Sequence, residues 1–275
     1  MTTIIAVLIF ILGTAIGSFL SVIIHRSYKN IKGIFISRSI CPFCKKKLKW
    51  NHLFPILSYL FLGGKCAYCK KKISPHYMLL EVLTGVVFVT IFLNWNFLTV
   101  IPQTANPEFF NYGIDWIIFE KFLFFLIEFS ILIGIFFYDL LYKLIPDFLS
   151  IPAIVIAIGQ GLLTGFPSPL NMLIGALAIG LFFLLQFLLS KGKWIGGGDI
   201  RLGVLMGVLL GWEMALMALV VAYIIGAIFS IILLIKGTAN RKTAIAFGPF
   251  LVIGVTTAIF YGDIILNFYL TFLTI

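Results

Sequence analysis

Charge is scarce in this chain. Of its 275 residues only 11% are charged, and just ten are acidic. Mean hydropathy is +1.14, and 61% of the residues are hydrophobic. Such usage excludes an ordinary soluble domain and points to a polytopic membrane protein. The pattern of a cleavable secretory leader is missing as well. Residues 1–24 have no basic start and no Ala-x-Ala site, and the positive charge follows them instead. They are expected to form a first transmembrane helix with its N-terminus outside. Nucleotide-binding loops are also lacking: Gly196–Gly198 fits neither G-x-x-x-x-G-K-S/T nor a strand-flanked dinucleotide loop.

What charge there is has a pattern. The formal net charge is +10, but it does not point to nucleic acid. Twelve of the 20 Lys and Arg lie within residues 26–72, and most of the others fall in short loops. Apolar runs predict eight crossings, at roughly 2–25, 77–101, 117–138, 148–164, 170–190, 200–213, 214–235 and 245–273. With the N-terminus outside, all the basic residues but Lys121 then share one side. The opposite loop, 102–116, holds Glu108 and Asp115 and no Lys or Arg. By the positive-inside rule the basic side is cytoplasmic. The run 200–213 is short for a span. Its Gly203, Gly207 and Gly211 recur every four residues and offer one face for close helix packing.

Cysteine occurs four times, always in the first basic loop, as Cys41-Pro42-Phe43-Cys44 and Cys66-Ala67-Tyr68-Cys69. The C-x2-C-x21-C-x2-C spacing suits a tetrahedral four-thiolate zinc site. Lys45–Lys47 and Lys70–Lys72 would offset the negative charge of such a centre. A redox pair or two unrelated reduced pairs are the alternatives, and the cytosol disfavours structural disulfides. Four thiolates close the coordination sphere, so the zinc is read as structural. The expected fold class is therefore an all-α polytopic membrane protein with about eight transmembrane helices and a small cytoplasmic zinc-binding domain. Its expected parts are a first helix (1–25), the four-cysteine zinc domain (26–76), helices with an outer loop (77–130) and a C-terminal membrane domain (131–275).

The ten acids can be weighed one by one. Glu108 and Asp115 are read as solvated; Glu120, Glu213 and Asp263 lie near outer helix ends. Glu128 is deep in the third span, where it could pair with a polar group. Glu81 opens the second helix, where the helix dipole favours a carboxylate. Asp139 ends the apolar run before Lys143-Leu144-Ile145-Pro146-Asp147. Asp147 follows the proline and is placed to cap the next helix, or to support the site. A catalytic role is its alternative. Asp139 has no comparable capping explanation. Asp199 follows Gly196-Gly197-Gly198, which allow close approach of another chain. Ionisable groups at membrane depth are functional suspects by default. Two that face each other can share a proton as an aspartyl hydrolase requires.

Together these residues resemble the type IV prepilin peptidases, the bifunctional leader peptidase/N-methyltransferase family. Gly196-x-Gly198-Asp199 resembles the family's GxGD signature, with Arg201 where lysine is more usual. Asp139 and Ile145-Pro146-Asp147 resemble its first catalytic aspartate and the downstream I-P-N/D. Gly17-Ser18-Phe19-Leu20, His25-Arg26, both cysteine pairs, Pro55-Ile56-Leu57-Ser58-Tyr59 and Ile73-Ser74-Pro75 with Glu81 are similar to its N-terminal domain. Asn51-His52 departs from a common Asp-Asn. The resemblance implies a GxGD aspartyl protease of the bacterial inner membrane with Asp139 and Asp199 catalytic, and with Gly196, Gly198 and Asp147 supporting the loop. It implies cleavage of type IV prepilins and pseudopilins after a conserved glycine, at the cytoplasmic face, for pili or type II secretion. It also implies methylation of the new N-terminal amine from S-adenosylmethionine. A transporter, a zinc-bearing membrane scaffold and a presenilin-like protease are the competing classes. A transporter would be expected to show a repeat, a scaffold leaves the two aspartates unexplained, and a presenilin-like enzyme lacks the zinc loop.

Overall fold

The computed structural model describes residues 2–31, 39–95, 98–101, 111–238, 240 and 243–273. Lys32, Arg38, Glu108, Arg241 and Lys242 of the charge pattern lie outside them. Eight α-helices follow in order: α1 (Thr2–Tyr28), α2 (Leu57–Phe61), α3 (His76–Asn94), α4 (Trp116–Tyr142), α5 (Asp147–Thr164), α6 (Pro169–Ser190), α7 (Gly197–Ile235) and α8 (Gly248–Leu273). All except α2 are long and apolar enough to cross a membrane. The chain divides into two compact units, Met1–Gly134 and Ile135–Ile275.

In the first unit α1 and α3 pack through small residues. A Cβ on Gly13 would stand 2.8 Å from Gly85 Cα, and one on Gly17 would stand 2.8 Å from Glu81 Cα. Between apolar helices in lipid, such close backbone approach is what gains dispersion energy. Two expectations change here. The second helix stops at Asn94, and Leu98–Ile101 pairs antiparallel with Asn111–Ile114 as a small hairpin. Glu81 lies inside α3 rather than at its start, and its role is not that of a dipole partner. Its Oε2 accepts the N–H of Ile56 at 2.7 Å.

In the second unit the segment read as two crossings, 200–213 and 214–235, forms two helical limbs of α7 that meet at Gly211. There φ is 74° and ψ is 174°, which is not helical. Positive φ costs glycine little, so the break falls where no Cβ opposes it. The contacts show the chain reversing. Gly203 meets Phe183 and Ile179 of α6, Gly207 meets Gly175, and Gly211 meets Asn171. The amide nitrogen of Trp212 donates to Asn171 Oδ1 at 2.8 Å, satisfying a donor freed by the break. Tyr223 then returns to Gln186, near the other end of α6. So the limb 197–210 runs antiparallel to α6, and 212–235 runs back alongside it. The glycine face anticipated at 203, 207 and 211 does face α6. α8 packs against the returning limb, with Gly254 on Ala218 and Gly262 on Met214 and Met217.

Candidate functional site

Two clusters carry chemistry, one in each unit. In the first unit, the sulfur atoms of Cys41, Cys44, Cys66 and Cys69 all lie within 4.8 Å of one another. Cys41 and Cys69 sulfurs are 3.9 Å apart. A tetrahedral zinc with bonds of about 2.3 Å separates its sulfurs by about 3.8 Å, so the donor set fits one such ion. The two C-x2-C turns are built alike. Cys41 N–H donates to Lys46 and Cys66 N–H to Lys71, while Lys45 and Lys70 N–H return to Cys41 and Cys66. Lys45 and Lys70 both take positive φ, 56° and 58°. The pairing is reciprocal beyond the backbone. Lys71 Nζ stands 5.1 Å over the Phe43 ring, and Lys46 Nζ stands 5.5 Å over the Tyr68 ring. Each turn thus clamps the aromatic residue of the other by a cation–π contact. Burial pushes the Cys41 thiol up to about 11, whereas the backbone N–H of Cys69 pulls Cys66 down to about 6.

In the second unit the helix ends converge around carboxylates. Asp139 lies in the last turn of α4 and is buried, 5% exposed. Its Oδ2 accepts the N–H of Gly248 at 2.8 Å, at the first residue of α8. The start of a helix leaves its first N–H groups unsatisfied, so this carboxylate meets both a donor and the positive end of a dipole. Lys143 Nζ reinforces the junction by donating to Ala244 O at 2.8 Å. Asp199 is the third residue of α7, and its Oδ2 accepts the N–H of Gly196 at 2.9 Å. Asp139 and Asp199 stand within electrostatic reach of each other.

The capping assignments therefore reverse. Asp139 does accept at a helix start, that of α8. Asp147 is the first residue of α5, whose cap position is Pro146, with no side-chain cap. Asp147 Oδ1 pairs instead with Arg201 Nη2. The same nitrogen reaches Ile145 O at 3.4 Å. Arg201 follows Asp199 by two residues, so this bridge ties the Pro146-Asp147 turn to the glycine loop. Gly198 is needed for that fit: a Cβ there would stand 2.6 Å from Ile145 Cβ. Gly196 is different, since its Cβ would meet nothing closer than Asp199 Oδ2 at 3.6 Å.

Sequence reading missed Gly248. Its signal was the Gly248-Pro249 pair opening an apolar run, a helix-start pattern. It also missed Tyr223, which lies within electrostatic reach of Asp199. Tyr223 bonds Gln186 at 3.2 Å and sets its ring 5.0 Å from Phe247. Glu128, expected to pair inside the bundle, is fully buried, and neither of its oxygens meets a hydrogen-bond donor among the described residues.

Residues 125–231, which hold both aspartates, match the type IV leader peptidase family. Residues 11–95, with all four cysteines, match the bacterial peptidase A24 N-terminal domain. A prepilin leader peptidase/N-methyltransferase of Legionella pneumophila is 33% identical over 90% of this chain and 80% of its own. The chain belongs to the type IV leader peptidase family. Proteins with the same name from Bacillus subtilis (strain 168) and Aeromonas hydrophila show that the likeness runs nearly end to end. They are 30% and 29% identical over 96% of this leader peptidase chain, and 97% and 93% of theirs. No solved structure gives a significant match. This family member is thus a multi-pass helical membrane protein that carries a four-cysteine cluster fit for a metal.

Proposed function

We propose that this chain is a membrane-embedded aspartyl endopeptidase that removes the basic leader of type IV prepilins and pseudopilins after a conserved glycine, and then N-methylates the new terminus. The observation that carries the reading is the pairing of Asp139 with Asp199. Each has one oxygen held by a backbone N–H, and each lies within electrostatic reach of the other. Helix capping alone would be served as well by Asn or Ser. Two acids within electrostatic reach of each other are a costly way to cap, and a suitable start for sharing a proton.

In the proposed step, one carboxylate takes a proton from water as the water oxygen adds to the scissile carbonyl carbon. The other, protonated, donates to the carbonyl oxygen. The carbon–nitrogen bond then breaks, and the amine leaves with a proton from the pair. Gly196 and Gly198 shape the Asp199 loop, and the Asp147–Arg201 bridge positions it. The basic loop supports a placement in the bacterial inner membrane, with the N-terminus outside and both clusters at the cytoplasmic side. An uncleaved basic leader would remain at that side.

Cys41, Cys44, Cys66 and Cys69 would hold one zinc ion. With four thiolates its sphere is closed, so it supplies folding free energy rather than Lewis-acid chemistry. S-adenosylmethionine is the methyl donor that the bifunctional reading requires. The described residues form no donor set that singles out its adenosine, so no residue is assigned to it.

The test is cleavage of a prepilin with glycine before the cut, by wild type and by Asp139→Asn and Asp199→Asn at matched expression. Asn keeps a hydrogen-bond acceptor for Gly248 or Gly196 but cannot cycle a proton. Each variant should lose cleavage and keep its zinc. Wild-type turnover by either one would sink the assignment. Mass spectrometry of mature pilin tests the second activity, and a native N-terminus without the added methyl group would count against it.

A further inference from the structure

We infer that the segment 50–61 is an interfacial anchor that lays the zinc module on an anionic bilayer surface. Most of its side chains are apolar, and the large ones are unusually open. Trp50 is 75% exposed, Leu60 61% and Phe61 87%, and Phe54 and Leu57 are exposed as well. A cluster of this kind marks an interaction surface rather than a solvated loop.

The depth of the segment follows from Glu81. This residue is the sixth of α3, about 7.5 Å along the axis from His76 at about 1.5 Å per residue. Its carboxylate holds the Ile56 N–H at 2.7 Å, so Ile56 sits level with the second turn of a membrane-spanning helix. Ile56 itself has φ 61° and ψ −54°, a costly conformation for a β-branched residue. That conformation turns the chain, so that α2 starts beside α3 at this level. Apolar α2 therefore lies at the depth where acyl chains meet headgroups.

Charge selects the occupant. Residues 26–80 contain no Asp or Glu, while residues 26–72 contain twelve Lys and Arg. Lys49 and Lys65 flank the apolar segment and are exposed. Aromatic and aliphatic side chains rimmed by lysine match an interface of acyl chains and anionic headgroups. A basic prepilin leader would be repelled, and a second copy would bring the same positive charge. The inference rests on the membrane crossings of α1 and α3, and not on the aspartate pair.

The full-length protein in nanodiscs provides the test. Amide exchange over 57–62 should be at least fivefold slower with phosphatidylglycerol present than with phosphatidylcholine alone. With Phe61 replaced by p-benzoylphenylalanine, illumination should attach phospholipid. Leu60→Asp with Phe61→Asp should erase the exchange difference at unchanged zinc content. The comparison in the unsubstituted protein decides the matter even if that variant misfolds. Equal exchange in the two nanodiscs would overturn the inference. So would an adduct with prepilin or with a second copy, or protection by added S-adenosylmethionine in phosphatidylcholine alone.

Discussion

The backbone N–H of Gly248 donates to Oδ2 of Asp139 at 2.8 Å, across 109 positions of sequence. Gly248 lacks the room for any side chain, because a Cβ would stand 2.7 Å from that same oxygen. The bond is charge-assisted when Asp139 is ionised, and it selects one rotamer for a buried carboxylate.

Gly248→Ala should therefore displace Asp139 while leaving it present. Loss of a hydrogen bond to a charged group costs about 1.5–3 kcal/mol. Prepilin cleavage should fall by about tenfold or more, with zinc content unchanged. Initial rates in detergent or nanodiscs measure the effect, and near-wild-type rates would mean that the bond does not position the carboxylate.

The two glycines before Asp199 should not be equivalent. Gly198→Ala forces a methyl group into Ile145 and should cost about 1–3 kcal/mol in packing, with most of the cleavage lost. Gly196→Ala has room and keeps its N–H, at φ −87°, so it should retain most activity. Parallel rates of the two variants check this, and equal losses would contradict the steric account.

Arg201 should matter through geometry. A pair as exposed as Arg201 and Asp147 contributes under about 1 kcal/mol to stability. Arg201→Lys should keep substantial activity, as a single ammonium can still meet Asp147, whereas Arg201→Leu should lower kcat severalfold with little change in thermal stability. The exchange variant Asp147→Arg with Arg201→Asp should recover part of that loss. No recovery would place the role of Arg201 elsewhere.

The zinc module offers a stabilising change. Lys45 and Lys70 hold positive φ, a conformation that costs a residue with a Cβ about 1–2 kcal/mol. Glycine removes that cost and gives part of it back as unfolded-chain entropy. Lys45→Gly or Lys70→Gly should each slow zinc release to a chelator by about twofold to fivefold. Faster release would show that the lysine side chains contribute more than the backbone strain removes.

Much of this architecture was legible in local pattern. The apolar runs located each membrane-span candidate among the described residues, and the four-residue glycine spacing named the face that meets α6. The cysteine spacing anticipated a cluster that the structure closes to within 4.8 Å. The capping arguments failed where they relied on neighbours alone. Asp147 looked like a cap because it follows a proline, yet its partner is Arg201. Asp139 looked free of any capping role because it ends an apolar run, yet α8 starts against it. Glu81 looked like a dipole partner, and its partner is an amide 25 positions back.

The sequence by itself determined which segments could enter lipid, where the rare acids stand and that four thiols could meet. Hydropathy and short spacings are local properties, and a membrane enforces them strongly. Only the tertiary structure decided that Gly248 orients Asp139, that Gly198 makes room for Ile145 and that Ile56 brings α2 level with α3. These relationships arise from hydrogen bonds and close backbone approach between residues far apart in the chain, and such contacts leave no periodic trace along it.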